Sequence, residues 1–193
     1  MCYRHGYEKG KILAYLAEVD LNLVIDTVNN PNWKLPIGRS VLQSKALNPA
    51  GEDFPVSMSD PLYGHRLLKR IASSGMLNLV ANVRLDFQPN RIFDLEDGIK
   101  ISVDPDHSSI ITGMSKDLQD YQAIDCGLFK CRYEFFDLLA ETADAGEGSV
   151  ASACNLAISD RKLGGVDIGD YYWIDIDTPE AVRYAQGSYV PDP

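Results

Sequence analysis

Basic side chains are scarce in this sequence. Eighteen Lys and Arg stand against 28 Asp and Glu, a formal net charge of −10 over 193 residues. Nucleic acids and anionic membranes need basic footprints, so neither is expected as a partner. The three histidines, His5, His65 and His107, lie far apart and build no HExxH-type pattern, which argues against a histidine-ligated zinc site. No apolar run approaches the roughly 20 residues of a membrane span. The opening Met-Cys-Tyr-Arg-His-Gly is not a signal peptide, so a cytosolic protein without a membrane segment is expected. Four cysteines, Cys2, Cys126, Cys131 and Cys154, form no CxxC pair and sit in apolar segments, as reduced structural thiols do. GxSxG, GxxxxGK[ST] and GxGxxG are all absent, which leaves covalent-nucleophile and P-loop chemistry without support.

What is present is ordinary globular composition, 45% hydrophobic and 24% charged, with enough chain for one substantial core. No repeat, low-complexity tract or interdomain linker interrupts it. One domain over residues 1–187 is expected, with a loose tail that begins near Gly187 and occupies 188–193.

The most informative stretch is Val166-Asp-Ile-Gly-Asp-Tyr-Tyr-Trp-Ile-Asp-Ile-Asp-Thr-Pro-Glu180. Trp173, Asp175 and Asp177 alternate with Ile174 and Ile176, so a strand puts both carboxylates on one face and the isoleucines in the core. Thr178-Pro179-Glu180 then predicts a helix start, Thr178 as N-cap and Pro179 at the first helical position. Open α/β sheets hold their ligands at such strand-to-helix switches, although solvated acids beside a capped helix fit the spacing equally well. Asp53-Phe-Pro-Val-Ser-Met-Ser-Asp60 repeats the design: Phe54, Val56 and Met58 point inward, the strand ends on an acid, and Pro61 starts a helix with Leu67, Leu68 and Ile71 on its core face.

Elsewhere the pattern predicts a helix over 7–18, a strand over 21–28, and a turn at Asn29-Asn-Pro-Asn32. A short helix over 41–47 follows Pro36-Ile-Gly-Arg-Ser40. Gly75 to Arg84 is nearly continuously apolar over Met76 to Ala81, as in a central strand covered on both faces, which favours a parallel or mixed sheet. Asp97-Gly98 between alternating runs predicts a hairpin within 92–103. Strands at 108–113 and 123–131 flank a polar loop carrying Lys116, and helices follow over 134–145 and 150–159 before Gly164-Gly165. A lone loop lysine is ordinarily a solvated charge.

Met58-Ser-Asp60, Asp94-Leu-Glu-Asp97 with Lys100, Gly113 through Lys116, Tyr121-Gln-Ala-Ile-Asp-Cys-Gly-Leu-Phe129 and Trp173-Ile-Asp-Ile-Asp-Thr-Pro-Glu180 occur in an order that resembles the sugar-phosphate nucleotidyltransferases (MobA-like NTP transferases). Within them the chain is most similar to the inositol-1-phosphate cytidylyltransferases. Gly6-Tyr7, Asn30-Pro31 and Gly38-Arg-Ser-Val-Leu42 extend the likeness toward the N-terminus. The resemblance implies an α/β, Rossmann-like fold of the nucleotide-diphospho-sugar transferase type: a mixed, mainly parallel sheet, helices on both faces and a β-hairpin excursion. It implies an enzyme that moves a nucleotidyl group from an NTP, CTP in the nearest group, to a sugar or inositol phosphate with release of pyrophosphate, as in phospholipid biosynthesis.

Carried over by position, Asp60 and Asp175 resemble the two Mg²⁺ ligands, with Asp177 a neighbouring or helix-capping acid. Lys116 resembles the lysine on the acceptor's phosphate, Asp125 and Gly127 the segment that meets acceptor hydroxyls, and Gly38 and Ser40 the turn beside the nucleotide base. Three positions depart from the family pattern. Its glycine-rich GxGxR loop and the PK segment after it are not matched, because the likeness starts at the helix that follows them; an N-terminally truncated form is therefore expected. Pro61 stands where His is usual, and Ile37 where a polar residue is usual. A binding or assembly module, or a fragment completed by a missing N-terminal segment or a second copy of the chain, is the alternative expectation.

Overall fold

A computed structural model describes residues 2–5, 8–19, 24–64, 66–69, 75 and 79–188. Its centre is β8 (Ala123–Cys131), whose nine residues alternate toward two apolar clusters. One edge of β8 pairs antiparallel with β5 (Ala81–Asp86). Along the other edge lie β6 (Lys100–Val103), opposite the start of β8, and β3 (Phe54–Ser57), opposite its end. Beyond β6 comes β7 (Ile111–Ser115), antiparallel, and beyond β5 comes β9 (Leu163–Asp167), parallel. The expected mixed sheet is therefore present. A parallel pair, β1 (Cys2–His5) with β2 (Asp26–Asn29), and an antiparallel pair, β4 (Pro61–Tyr63) with β10 (Trp173–Asp175), stand beside it.

The helices are α1 (Lys9–Glu18), α2 (Ile37–Gln43), α3 (Phe135–Asp144), α4 (Val150–Ser159) and α5 (Pro179–Ser188). Helices α2, α3 and α4 pack on one another, α4 also lies against β7 and β9, and α5 against β10. The larger cluster joins Phe54, Val83, Leu85, Ile101 and Phe129 of the sheet to Phe135, Phe136 and Leu139 of α3. Phe54 and Phe136 stack there with ring centroids 4.3 Å apart. A second cluster, Leu67, Cys126, Leu128 and Ile168, lies under Tyr63, Tyr171 and Trp173. Burying a side chain such as Leu128 or Phe129 contributes about 1.5–3 kcal/mol. Cys126, Cys131 and Cys154 are buried free thiols, as expected of them.

Several expectations are corrected. Pro61 opens strand β4 rather than a helix, because Pro61–Tyr63 pairs with β10; the helical residues come later, at 66–69. Leu67 is fully buried, Leu68 is exposed, and Ile71 lies outside the described residues. The Asp97-Gly98 hairpin does not form. Residues 93–97 are turns, and the hairpin is β6–β7, since Ile101 and Ile111 have a core to enter and Phe93 stays exposed. Half of the apolar run expected as a central strand, residues 76–78, lies outside the described residues, and residues 79–80 are not in a strand. The buried strand β5 follows it, with Asn82, Arg84 and Asp86 alternating with Ala81, Val83 and Leu85. Residues 21–23 of the predicted 21–28 strand are likewise outside, and β2 covers Asp26–Asn29. Helix α5 continues through Gly187 and Ser188, where a loose tail was expected to begin; residues 189–193 are outside.

Gly164-Gly165, which follow the helix over 150–159 in the sequence, lie inside β9. A Cβ on Gly164 would meet Asn82 Oδ1 at 2.1 Å and Leu79 Cδ1 at 2.4 Å, and one on Gly165 would meet Leu85 Cδ1 at 2.4 Å. The glycines let β9 approach a neighbour that is itself packed with large side chains. Gly164→Ala is expected to destabilise the protein by about 1–3 kcal/mol, as overpacking does. Urea unfolding checks this; an unchanged midpoint would show that the contact is not tight.

Candidate active site

Three segments converge on an acidic cleft beside β10. Its walls come from Ile92 through Gly98 on one side and from Trp173 through Thr178 on the other, with Asp94, Asp97, Asp175 and Asp177 among the lining residues. The third segment brings the negative charge of Asp60 to bear on Asp175 and Asp177. Asp60 lies between β3 and β4, and its backbone carbonyl accepts a hydrogen bond from Ile176 N–H at 3.1 Å. The pairing of β4 with β10 sets Pro61 opposite Asp175. Strand alternation gives β10 its polarity: Ile174 is buried at 5% exposure while Trp173 and Asp175 face the cleft.

Charge accumulates here. The carboxyl of Asp175 is pushed up to about 7, chiefly by burial, then by the negative charges of Asp60, Asp177 and Asp97; Lys116 pulls the other way. Asp177, at the exposed end, is raised by desolvation and by Asp60 and Asp97. Lys116 is ion-paired with Asp97 on the surface. Helix α5 is capped by Thr178, whose Oγ1 accepts from Ala181 N–H at 3.1 Å, so Asp177 is left free of the capping task.

Asp125 reaches the same electrostatic field by a different device. Across β5 and β8, Val83 faces Phe129 while Leu85 faces Asp125, so β8 bulges between them. Gly127 takes φ +68° at the bulge, a conformation glycine adopts without strain. A Cβ there would also meet Met58 Cγ at 3.1 Å and Pro61 Cγ at 3.2 Å. Asp125 Oδ1 accepts the Gly127 N–H at 2.8 Å. Burial nevertheless pushes its carboxyl up to about 7; the Gly127 N–H works against that, and the negative charge of Asp175 adds to it. Burial also raises the Tyr63 phenol, whose hydroxyl donates to the Cys126 carbonyl at 2.8 Å.

The structure thus brings Asp60, Asp175, Asp177, Lys116 and Asp125 with Gly127 into one electrostatic neighbourhood. Gly38 and Ser40 have other contacts. Gly38 is buried in α2 where a Cβ would meet the Gly148 carbonyl oxygen at 2.5 Å, and Ser40 accepts from Asn30 Nδ2 at 2.5 Å. Asp94 and Asp97, which in the sequence stood out only as part of the family likeness and of a strong Asp97-Gly98 turn signal, line the cleft, and Asp97 pairs with Lys116. Among the described residues no group of three or more His, Cys, Asp or Glu side chains is arranged to hold a metal ion. No helix there is long and apolar enough to cross a membrane.

No protein-family model matches the chain, and no curated protein matches it significantly. Solved structures do. The inositol-1-phosphate CTP transferase of T. maritima superposes with a TM-score of 0.75 at 22% identity, over 93% of this chain and 70% of the other. The fold is that of the sugar-phosphate nucleotidyltransferases. A Bacillus anthracis structure named as a glucose-1-phosphate thymidylyltransferase in complex with a sucrose gives a TM-score of 0.73 at 12% identity, over 96% and 74% of the two chains. A UTP-bound UGPase from Acinetobacter baumannii gives 0.59 at 16%, over 92% and 64%. Likeness at these identities establishes the nucleotidyltransferase fold of the chain.

Raised carboxyls leave a signature in stability. Asp125 is ordinarily half-ionised at 3.8 and in the folded protein at about 7, so the folded state holds a proton that the unfolded state has lost. Its contribution is fully present below about pH 4 and lost as pH rises through 7. Asp175 acts in the same direction. Urea stability is expected to fall between pH 4 and 7 and then level off, with a smaller fall in Asp125→Asn; a variant with the wild-type slope would contradict the burial of this carboxyl.

Proposed function

We propose that the chain catalyses nucleotidyl transfer from an NTP, with CTP the first candidate, to a sugar or inositol phosphate. The observation that carries this reading is the acidic cleft, in which partly buried Asp175 sits among Asp60, Asp177 and Asp97 within the nucleotidyltransferase fold. A site that crowds negative charge is repelled by phosphates unless a cation intervenes. The donor set suits Mg²⁺, which takes one or two carboxylates and leaves its remaining positions to substrate phosphates and water. Asp60 and Asp175 would hold it. When bound, the ion supplies charge neutralisation to the phosphates.

The remaining work falls to the chain itself. A phosphate oxygen of the acceptor attacks the α-phosphorus of the NTP, the bond to the bridging oxygen breaks, and pyrophosphate leaves with its negative charge. No proton has to move, since the nucleophile is already anionic, so positioning is the main task. Lys116 exchanges its surface partner Asp97 for the acceptor's phosphate. Asp125, kept at the bulge by Gly127, meets acceptor hydroxyls either as acceptor or, protonated below about pH 7, as donor. Gly38 and Ser40 belong to the nucleotide side, where the close packing of Gly38 on Gly148 and Ser149 holds the first turn of α2 rigid.

Pyrophosphate release from CTP, UTP, dTTP and ATP with inositol 1-phosphate and glucose 1-phosphate, each with Mg²⁺, tests the proposal. Asp60→Ala and Asp175→Ala are expected to lose on the order of a hundredfold or more in kcat, the scale of losing one preorganised electrostatic contact. Lys116→Ala is expected to raise KM for the acceptor more than it lowers kcat. A folded wild-type protein that is silent across the panel refutes the enzymatic reading. Inositol phosphate binding that persists without Mg²⁺ and in Asp60→Ala would favour a binding module instead.

A further inference from the structure

The two walls of the acidic cleft are joined behind it by a buried carboxylate. Asp86 ends β5 at 0% exposure. Its Oδ1 accepts from Gln88 N–H at 2.8 Å, and its Oδ2 accepts from Arg91 Nε–H at 2.6 Å and from Trp173 Nε1–H at 2.8 Å. Arg91 reaches further and donates from Nη2 to the Gly169 carbonyl at 2.7 Å. Trp173 begins the strand that carries Asp175, and Arg91 immediately precedes the segment that carries Asp94 and Asp97.

An ion pair built on a fully buried carboxylate is a poor way to gain stability, because desolvating that charge costs several kcal/mol and a well-packed apolar replacement is often as stable. The main core does not need this one; Val83 and Leu85 of the same strand already supply apolar packing. What the carboxylate provides is direction. Trp173 is fixed through its N–H, and its cross-strand neighbour Tyr63 is fixed through the hydroxyl to the Cys126 carbonyl, beside Asp125. One acid therefore ties β5, the start of the 92–98 wall and β10 to one another.

We infer that Asp86 is a positioning residue that holds the two walls of the cleft in register, through Arg91 on one side and Trp173 on the other. The inference rests on the reading of this cleft as the reaction site. Asp86 touches no substrate; it acts on Asp175, Asp94 and Asp97 by fixing the backbone that presents them. Misplacing reacting groups by about 1 Å costs on the order of a hundredfold in rate.

The sequence has two tryptophans, Trp33 and Trp173, so Trp33→Phe makes Trp173 the sole indole reporter. In that background Asp86→Asn and Asp86→Leu are compared with Phe135→Leu, which perturbs the main core away from the cleft. Acrylamide quenching of Trp173, well below the unfolding temperature, is expected to rise severalfold in both Asp86 variants and to stay unchanged in Phe135→Leu. In the pyrophosphate assay kcat is expected to fall tenfold to a hundredfold in the Asp86 variants with little change in KM, and equally in Trp173→Phe, which removes the indole N–H and keeps a ring. Unchanged quenching in folded Asp86 variants, or quenching that Phe135→Leu reproduces at equal loss of stability, overturns the inference whether or not the protein turns over. If the Asp86 variants do not fold, wild-type kcat in Trp173→Phe overturns it. A wild type that releases no pyrophosphate refutes the proposed reaction alone, and quenching still decides the role of Asp86.

Discussion

The pairing of β8 with neighbours on both edges is the constraint from which the rest of the molecule follows. Its C-terminal half lies between β3 and β5, so Phe129 and Cys131 are locked into the larger core. Its N-terminal half lies between β6 and β5. Between the halves the ladder slips at Gly127, and the slip sets Asp125 opposite Leu85 with its carboxyl on the Gly127 N–H. A straight strand of the same composition would keep the ladder and lose the acid's orientation. Only glycine serves there, since the backbone is left-handed and Met58 and Pro61 close over the position.

The proposed function rests on how acids are distributed around the end of β10. Asp175 and Asp125 both carry carboxyls raised to about 7, and burial is the first cause in each. The further causes differ. Asp175 is crowded by Asp60, Asp177 and Asp97, whereas Asp125 receives a backbone N–H that favours its charged form. Such separation of environments would let the two carboxylates take the roles proposed for them, Asp175 toward a cation and Asp125 toward hydroxyl groups. For the proposed reaction the net charge of −10 sharpens the need for a cation, because few basic residues would be at hand to receive phosphates.

Rigidity behind the site comes from buried polar groups. Asp86, Arg91, Trp173 and the Gly169 carbonyl form a connected set that is satisfied by hydrogen bonds within the protein. Satisfied networks of this kind specify a single arrangement even when they add little to overall stability. The apolar cluster of Leu67, Cys126, Leu128 and Ile168 closes the space beneath Trp173.

Local sequence was sufficient for elements whose neighbours are close in the chain. Strand 123–131, helix 150–159 and the Thr178 cap before Pro179 form where they were expected, because alternation, helical periodicity and an N-cap are short-range signals. The same short range explains the gathering of Trp173, Asp175 and Asp177 on a strand end. Tertiary structure decided what depends on distant partners. Pro61–Tyr63 is a strand because β10, more than a hundred residues away, offers it a ladder; Gly164-Gly165 lies in a strand because Asn82 and Leu85 fill the space a side chain would need. Asp86, unremarkable in the sequence, becomes a buried junction for the same reason, since its partner Trp173 is 87 residues away. Periodicity records which way a side chain points along its own element, and only packing records what it meets there.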